Sequence, residues 1–155
     1  MSHGLDLLAV DAQIAPARLA ELEALLAGAR HSLASEGEHL DSVDERLADP
    51  SGHHLFALVS GGRAIGLIDL ALHHPDPDAA TIAAIVIAPA HRRRGVARAL
   101  ISRALAALEP ADRPRSLEAG VHRDNAAALR FFEDLGWSVV DDAGGPVLIL
   151  RRLVP

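Results

Sequence analysis

Ile85-Val-Ile-Ala-Pro-Ala-His-Arg-Arg-Arg-Gly-Val-Ala-Arg98 is the stretch whose reading decides the fold. It reads as the end of an apolar strand, a turn marked by Pro89, and a helix expected to run from near Arg94 toward Leu108. That placement crowds Arg92, Arg93, Arg94 and Arg98 into the first helical turns, where the macrodipole already supplies partial positive charge. Each exposed cation there costs roughly 0.3–1 kcal/mol, so the repetition points to an anion as the usual occupant. Free N–H groups at a helix start, flanking guanidinium groups and Gly95, where a β-carbon would hold a ligand off, together make a phosphate cradle. The alternatives are a solvated basic turn or a basic patch for nucleic acid. A Walker A loop is excluded because no Gly-Lys-Ser/Thr follows, and a dinucleotide fingerprint because the Gly-x-Gly-x-x-Gly set is incomplete.

One strand–helix unit further on, Val121-His-Arg-Asp-Asn125-Ala-Ala-Ala-Leu129-Arg-Phe-Phe132-Glu-Asp-Leu-Gly136-Trp137 reads as a strand end, an Asn cap, a short helix and a Gly stop. Ala128, Leu129, Phe132 and Leu135 share one apolar stripe at helical spacing. Arg92-x-x-Gly95-x-Ala97 resembles motif A, and Asn125-x-x-Ala128 through Leu135-Gly136-Trp137 resembles motif B, of the GNAT superfamily of N-acetyltransferases. The pattern is most similar to the ribosomal-protein alanine acetyltransferase branch. The resemblance is specific from about Ile82 to Trp137, whereas residues 1–60 match only in the order of their elements.

The remaining elements read outward from these two motifs. Leu5–Val10 is expected as a strand, and Ala17–Ala29 as a helix opened by Pro16, with Leu19, Leu22, Leu25 and Leu26 on one face. Asp41–Leu47 reads as a second short helix. Leu55–Val59 and Ala64–Leu72 form a hairpin across Ser60-Gly61-Gly62-Arg63, and Thr81–Ile87 has the β-branched, apolar character of a buried strand. Leu117–His122 is a strand, Asn125–Leu135 a helix, and Trp137–Asp141 with Val147–Arg152 a last hairpin. The expected fold class is therefore α/β (α+β): a single domain over residues 1–155, as the resemblance implies. Its mixed, mostly antiparallel sheet would have six or seven strands and about four flanking helices, and would splay between the fourth and fifth strands.

Composition narrows the function. Half the residues are apolar but only 3% are aromatic, so the core must be built from Ala, Leu, Val and Ile. The absence of Cys removes disulfides, thiolate catalysis and Cys-based zinc sites. A formal net charge of −6 argues against a nucleic-acid binder that relies on phosphate contacts. Met1-Ser-His-Gly does not open a signal peptide, and no run of about 20 apolar residues could span a membrane, so a cytoplasmic protein without a membrane partner is expected. His53-His54 and His73-His74 are adjacent pairs, which point to opposite faces on a strand. They suit a converging zinc site poorly, and no metal is expected, although either pair could line an acceptor cleft.

The resemblance implies acetyl-CoA as cosubstrate. Its pantetheine arm would bond to the backbone of Ile85, Val86 and Ile87, and its pyrophosphate to the N–H groups of Arg92, Arg93, Arg94, Gly95, Val96, Ala97 and Arg98. Asn125 would cap its helix and touch the pantetheine. Many relatives place a Tyr seven residues after the Asn to protonate the departing thiolate, but here that position is Phe132, and the chain has no Tyr. The branch's Glu five residues before the Asn is Gly120, and the Glu that other relatives place eleven residues before the first motif-A Arg is Thr81. A strand's period of two puts Glu118, Gly120 and His122 on one face, which makes Glu118 the leading candidate base and His122 the second. The alternative for Glu118 is a solvated or ion-paired strand residue.

The implied reaction is direct transfer of an acetyl group to a primary amine of a small molecule or peptide, by a monomer or homodimer. Glu36, Glu38, Asp41, Asp44, Glu45, Asp141 and Asp142 would favour a cationic acceptor. The competing reading, prompted by the missing Tyr and by Gly120, is a CoA-binding regulatory module with little or no turnover.

Overall fold

The computed structural model describes residues 4–28, 42–92, 95–142 and 144–154. Along the chain run β1 (Leu5–Val10), α1 (Pro16–Gly28), α2 (Val43–Ala48), β2 (His53–Ser60), β3 (Arg63–Leu72) and β4 (Ala79–Ile87). They are followed by α3 (Val96–Ala107), β5 (Ser116–His122), α4 (Ala126–Asp134), β6 (Ser138–Asp141) and β7 (Val147–Leu153). The strands form one sheet in the order β1-β2-β3-β4-β5-β7-β6. Every pairing is antiparallel except that of β4 with β5. The expected fold class and element order hold. Among the described residues no helix is long and apolar enough to cross a membrane.

The sheet buries both faces, and its alternation assigns each residue to one of them. Ile68, Leu70, Ile82, Ile85, Leu117, Ala119 and Leu150 face α3 and α4, where they meet Leu100, Ile101, Ala128 and Phe132. Leu55, Ala57, Leu67 and Val86 face the other way, onto Leu22 and Leu26 of α1 and Val43 of α2. Gly66 lets α3 lie close: a β-carbon there would sit 3.1 Å from Leu100 and 3.2 Å from Ile87. α2 has only six residues and is held by its neighbour. Glu23 of α1 accepts from Ser42 Oγ at 2.8 Å and from the Val43 N–H at 2.7 Å, satisfying a helix start that could not stand alone.

Two irregularities shape the centre. Asp69 of β3 pairs with Ala84 while Leu70 pairs with Ile82, so Ala83 is an extra residue, a β-bulge in β4. The parallel ladder between β4 and β5 holds for three pairs, Ala79↔Ser116, Ala80↔Leu117 and Thr81↔Glu118. Beyond Thr81 and Glu118 the two strands part.

Candidate active site

The splay opens a small cleft lined by Ile82, Ala83, Ala84, Ile85, Ala119, Gly120 and Phe132. Its walls are small or apolar because β4 and β5 carry Ala and Gly there, leaving the strand edges exposed to whatever enters. Ile85 lines it directly. Val86 and Ile87 continue β4 toward α3, with their side chains buried on opposite faces of the sheet.

The start of α3 departs from its sequence reading. The helix begins at Val96, with Gly95 as its N-cap, rather than near Arg94. Only Arg98 of the quoted arginines lies within the first turn, and it is exposed. Arg92 stands outside the helix, and its Nε donates to the Ile87 carbonyl at 3.2 Å, tying the turn back to the end of β4. Arg93 and Arg94 lie outside the described residues. Gly95 has φ +74°, a left-handed conformation that disfavours any side chain, and a β-carbon there would meet nothing within 4 Å. The helix start has no side-chain cap among the described residues, and no β-carbon at position 95 that would hold off an anion approaching its N–H groups.

Asn125 caps α4, its Oδ1 accepting from the Ala128 N–H at 3.1 Å. Phe132 is buried at the cleft wall, its ring 4.9 Å from Trp137 and edge-on to Phe131 at 5.1 Å. Where relatives would place a phenol, this chain has an aromatic stack.

On the face opposite α3 and α4, polar residues gather where the strands part. The register lays His53, Ala71, Thr81, Glu118 and Arg151 in one row across β2, β3, β4, β5 and β7. Glu118 is buried and ion-paired: Arg151 Nε donates to its Oε2 at 2.9 Å, and Nη2 reaches the same oxygen. The carboxylate raises the pKa of Arg151 through that hydrogen bond and its charge, with Asp76 adding to the effect. His122 ends β5, half-buried, and its Nδ1 accepts from the Asp124 N–H at 3.2 Å. Thr81 Oγ1 contacts His74, and a second polar group lies one strand over. Asp69, fully buried, accepts from His53 Nδ1 at 2.7 Å and lies 3.0 Å from Arg46 Nε. Burial pushes the Asp69 pKa up and outweighs the lowering by His53 and Arg46. Arg151 and Asp69 were not singled out from the sequence, although a lone Asp inside Ala64-Ile-Gly-Leu-Ile-Asp69-Leu-Ala-Leu72 is the visible signal of a buried polar group.

The acidic residues expected to draw a cation are only partly available. Asp142 is held by Arg123, whose Nη1 donates at 3.3 Å, and this pairing lowers the carboxyl pKa. Glu36, Glu38 and Asp41 lie outside the described residues. Among the described residues no group of three or more His, Asp or Glu side chains could hold a metal ion.

Comparison with known proteins agrees with this architecture. The model of the acetyltransferase (GNAT) family matches residues 19–137, and the chain belongs to that family. A sequence comparison with curated proteins found no match. Among solved structures, an acetyltransferase from Thermus thermophilus is 28% identical with a TM-score of 0.73, each chain covered over 97%. The yncA structure from Salmonella typhimurium, with its cofactor acetyl-CoA, is 19% identical with a TM-score of 0.68, covering 98% of this chain and 95% of that one. The ribosomal-protein-S18-alanine N-acetyltransferase of Escherichia coli is 17% identical with a TM-score of 0.64, covering 97% of this chain and 94% of that one.

Proposed function

We propose that this chain transfers the acetyl group of acetyl-CoA directly to a primary amine of a small molecule or peptide. The observation that carries the reading is the parting of β4 from β5 beyond Thr81 and Glu118, in a chain whose next helix after β4 starts at a left-handed Gly95 with no side-chain cap among the described residues. A pantetheine arm lying along β4 beyond Thr81 would find strand edge with no β5 partner, and would take hydrogen bonds from the backbone of Ile85 and Ile87 as an added strand does, while Val86 between them pairs with Leu67 of β3. The pyrophosphate would then meet the N–H groups from Gly95 onward, with Arg92, Arg93, Arg94 and Arg98 around it, and Asn125 and Phe132 would close the wall from α4. Acetyl-CoA supplies the activated acyl group. The protein supplies orientation, a dry apolar wall and a place for the amine's proton.

The amine would approach from the face that carries Thr81, Glu118 and His122. Glu118 and His122, read from the sequence as base candidates, form the β5 side of that approach, and the Glu118–Arg151 pair keeps a carboxylate beside an incoming ammonium. An N-terminal peptide amine, the acceptor class suggested by the motif pattern, fits this face as well as a small amine does.

Calorimetric binding of acetyl-CoA, followed by thiol release in the presence of an amine panel, tests the reading. Binding with turnover supports it. Binding without thiol release from any amine favours the regulatory module, and absence of binding removes both.

A further inference from the structure

Thr81 Oγ1 lies 3.0 Å from His74 Nδ1 and 3.1 Å from the carbonyl oxygen of the same histidine. A hydroxyl has one proton to give and a carbonyl can only accept, so the Thr81 proton goes to the carbonyl. Toward the ring, Oγ1 can then only accept, and Nδ1 must carry the ring hydrogen. In the neutral imidazole the lone pair is consequently on Nε2. His74 is exposed, and among the described residues no hydrogen bond is made by its Nε2. Thr81 fixes not only where the ring sits but which of its nitrogens is basic.

The position matters as much as the tautomer. Thr81 belongs to the last β4–β5 pair before the strands part, and the cleft begins at Ile82 and Ala119, the next residue on each strand. Its side chain lies on the face away from α3 and α4, beside Glu118 and Arg151. The loop that carries His74 is itself fastened. His73 Nδ1 contacts the Pro77 carbonyl at 2.9 Å and its Nε2 contacts Asp112 at 3.0 Å, and the His74 N–H donates to the Ala79 carbonyl at 3.1 Å. Asp76 in the same loop acts on the charge of Arg151, so the loop runs toward the β5–β7 end of the polar row. Glu118, by contrast, gives one carboxylate oxygen to two nitrogens of Arg151.

We infer that His74 Nε2 is the proton acceptor for the amine substrate, with Thr81 as its positioning residue. This rests on the acetyl-transfer reading above and assigns the group that activates the nucleophile. In the step, Nε2 takes one proton from the ammonium, and the freed amine attacks the thioester carbon. The C–N bond forms first, giving a tetrahedral intermediate, and its collapse breaks the C–S bond. The second proton, shed by the nitrogen as the tetrahedral intermediate collapses, passes to the CoA thiolate to give the thiol. The imidazolium then returns its proton to solvent. The charged and titratable groups around His74 are His73, Asp76 and Asp78 in its loop, Glu118 on β5 and Arg151 on β7.

The experiment compares His74→Gln, Glu118→Gln, Thr81→Val and Thr81→Ser with the wild type, using acetyl-CoA and a panel of primary amines, with thiol release followed across pH. His74→Gln is expected to lower kcat/KM for the amine by about 10²–10⁴-fold near neutral pH, with KM for acetyl-CoA unchanged. That deficit should shrink as pH approaches the amine's own pKa. Thr81→Val should lose about tenfold and Thr81→Ser should restore it, since only the hydroxyl is needed. Nitrogen-15 NMR of the histidines in the wild type should show Nδ1 of His74 protonated and Nε2 bare. Unchanged turnover in His74→Gln, a large loss confined to Glu118→Gln, or the opposite tautomer would each overturn the assignment while leaving acetyl transfer standing. A wild type that binds no acetyl-CoA, or releases no thiol with any amine, would overturn both.

Discussion

The two ends of the gap between β4 and β5 are built from different materials. At the end near α3 the site is backbone: strand edge along β4, a left-handed Gly95, and a helix start with no side-chain cap among the described residues. At the end where the strands meet, it is side chain: Thr81 with His74, Glu118 with Arg151, and one strand over Asp69 with His53 and Arg46. A backbone site tolerates most changes of side chain and fails at the few positions where geometry forbids one. A side-chain site fails wherever a buried partner is removed. On the proposed reading, the first kind serves the cofactor and the second faces the acceptor.

The largest expected effect lies at the side-chain end. Asp69→Ala would leave His53 and Arg46 facing a buried hole, and breaking such a charge cluster costs about 3 kcal/mol or more. Urea denaturation should show it, together with a weakened hold on α2, which carries Arg46. Stability within a few tenths of a kcal/mol of wild type would show that the cluster contributes little.

At the backbone end, Gly95→Val should lower acetyl-CoA affinity about tenfold or more, equivalent to about 1.4 kcal/mol of binding. It should also cost about 1–2 kcal/mol of stability, because φ +74° is strained for any residue with a β-carbon. The two effects separate by measuring the dissociation constant on the folded fraction. An unchanged constant would take the α3 start out of the cofactor site.

How much of this was legible in the sequence follows the same division. Strand β1 and the β3–β4 core were readable because period-two alternation and β-branched runs carry their own signal, and both motifs were readable because Gly95, Asn125 and Gly136 are demanded by local backbone. The helix start was misplaced because an Arg run says nothing of where helical dihedrals begin. Pro89 opens a short 3₁₀ turn over Pro89–His91, which postpones α3 to Val96. The partners of Glu118, Thr81 and Asp69 were not readable. Arg151 comes 33 residues after Glu118, and only the β5–β7 register brings them together.

A smaller effect sits between the two ends. Phe132 lines the cleft while stacking on Trp137, so Phe132→Tyr adds a hydroxyl where the family often carries one. If that hydroxyl reaches the thioester sulfur, the rate rises modestly and the alkaline limb of the pH profile shifts, which is the expected result. A loss of about 1–3 kcal/mol of stability with unchanged pH dependence would mean that the hydroxyl is buried without a partner.

The smallest effect is a pH dependence in the loop that carries His74. Both ring nitrogens of His73 face acceptors, and the hydrogen bond to Asp112, followed by that to Pro77, raises its pKa above 6.5. The folded pKa is the higher one, so the contribution of His73 is complete below pH 6.5 and fades as pH climbs through the raised value. Protection factors at Asp76 and Asp78, corrected for base-catalysed intrinsic exchange, should fall over that range and stay flat with pH in His73→Gln. A His73 that titrates at or below 6.5 by NMR would remove the latch.

The central claim is that acetyl-CoA lies in the β4–β5 gap and is held by backbone. Amide hydrogen exchange with and without acetyl-CoA tests it most directly, because it reads the N–H groups themselves. Protection should rise at Ile85 and Ile87, whose N–H groups point away from β3, and at Gly95 through Ala97, and stay unchanged at Val86, which pairs with Leu67, and in β1 and β2. Protection confined to other elements, or none at saturating acetyl-CoA, would contradict it.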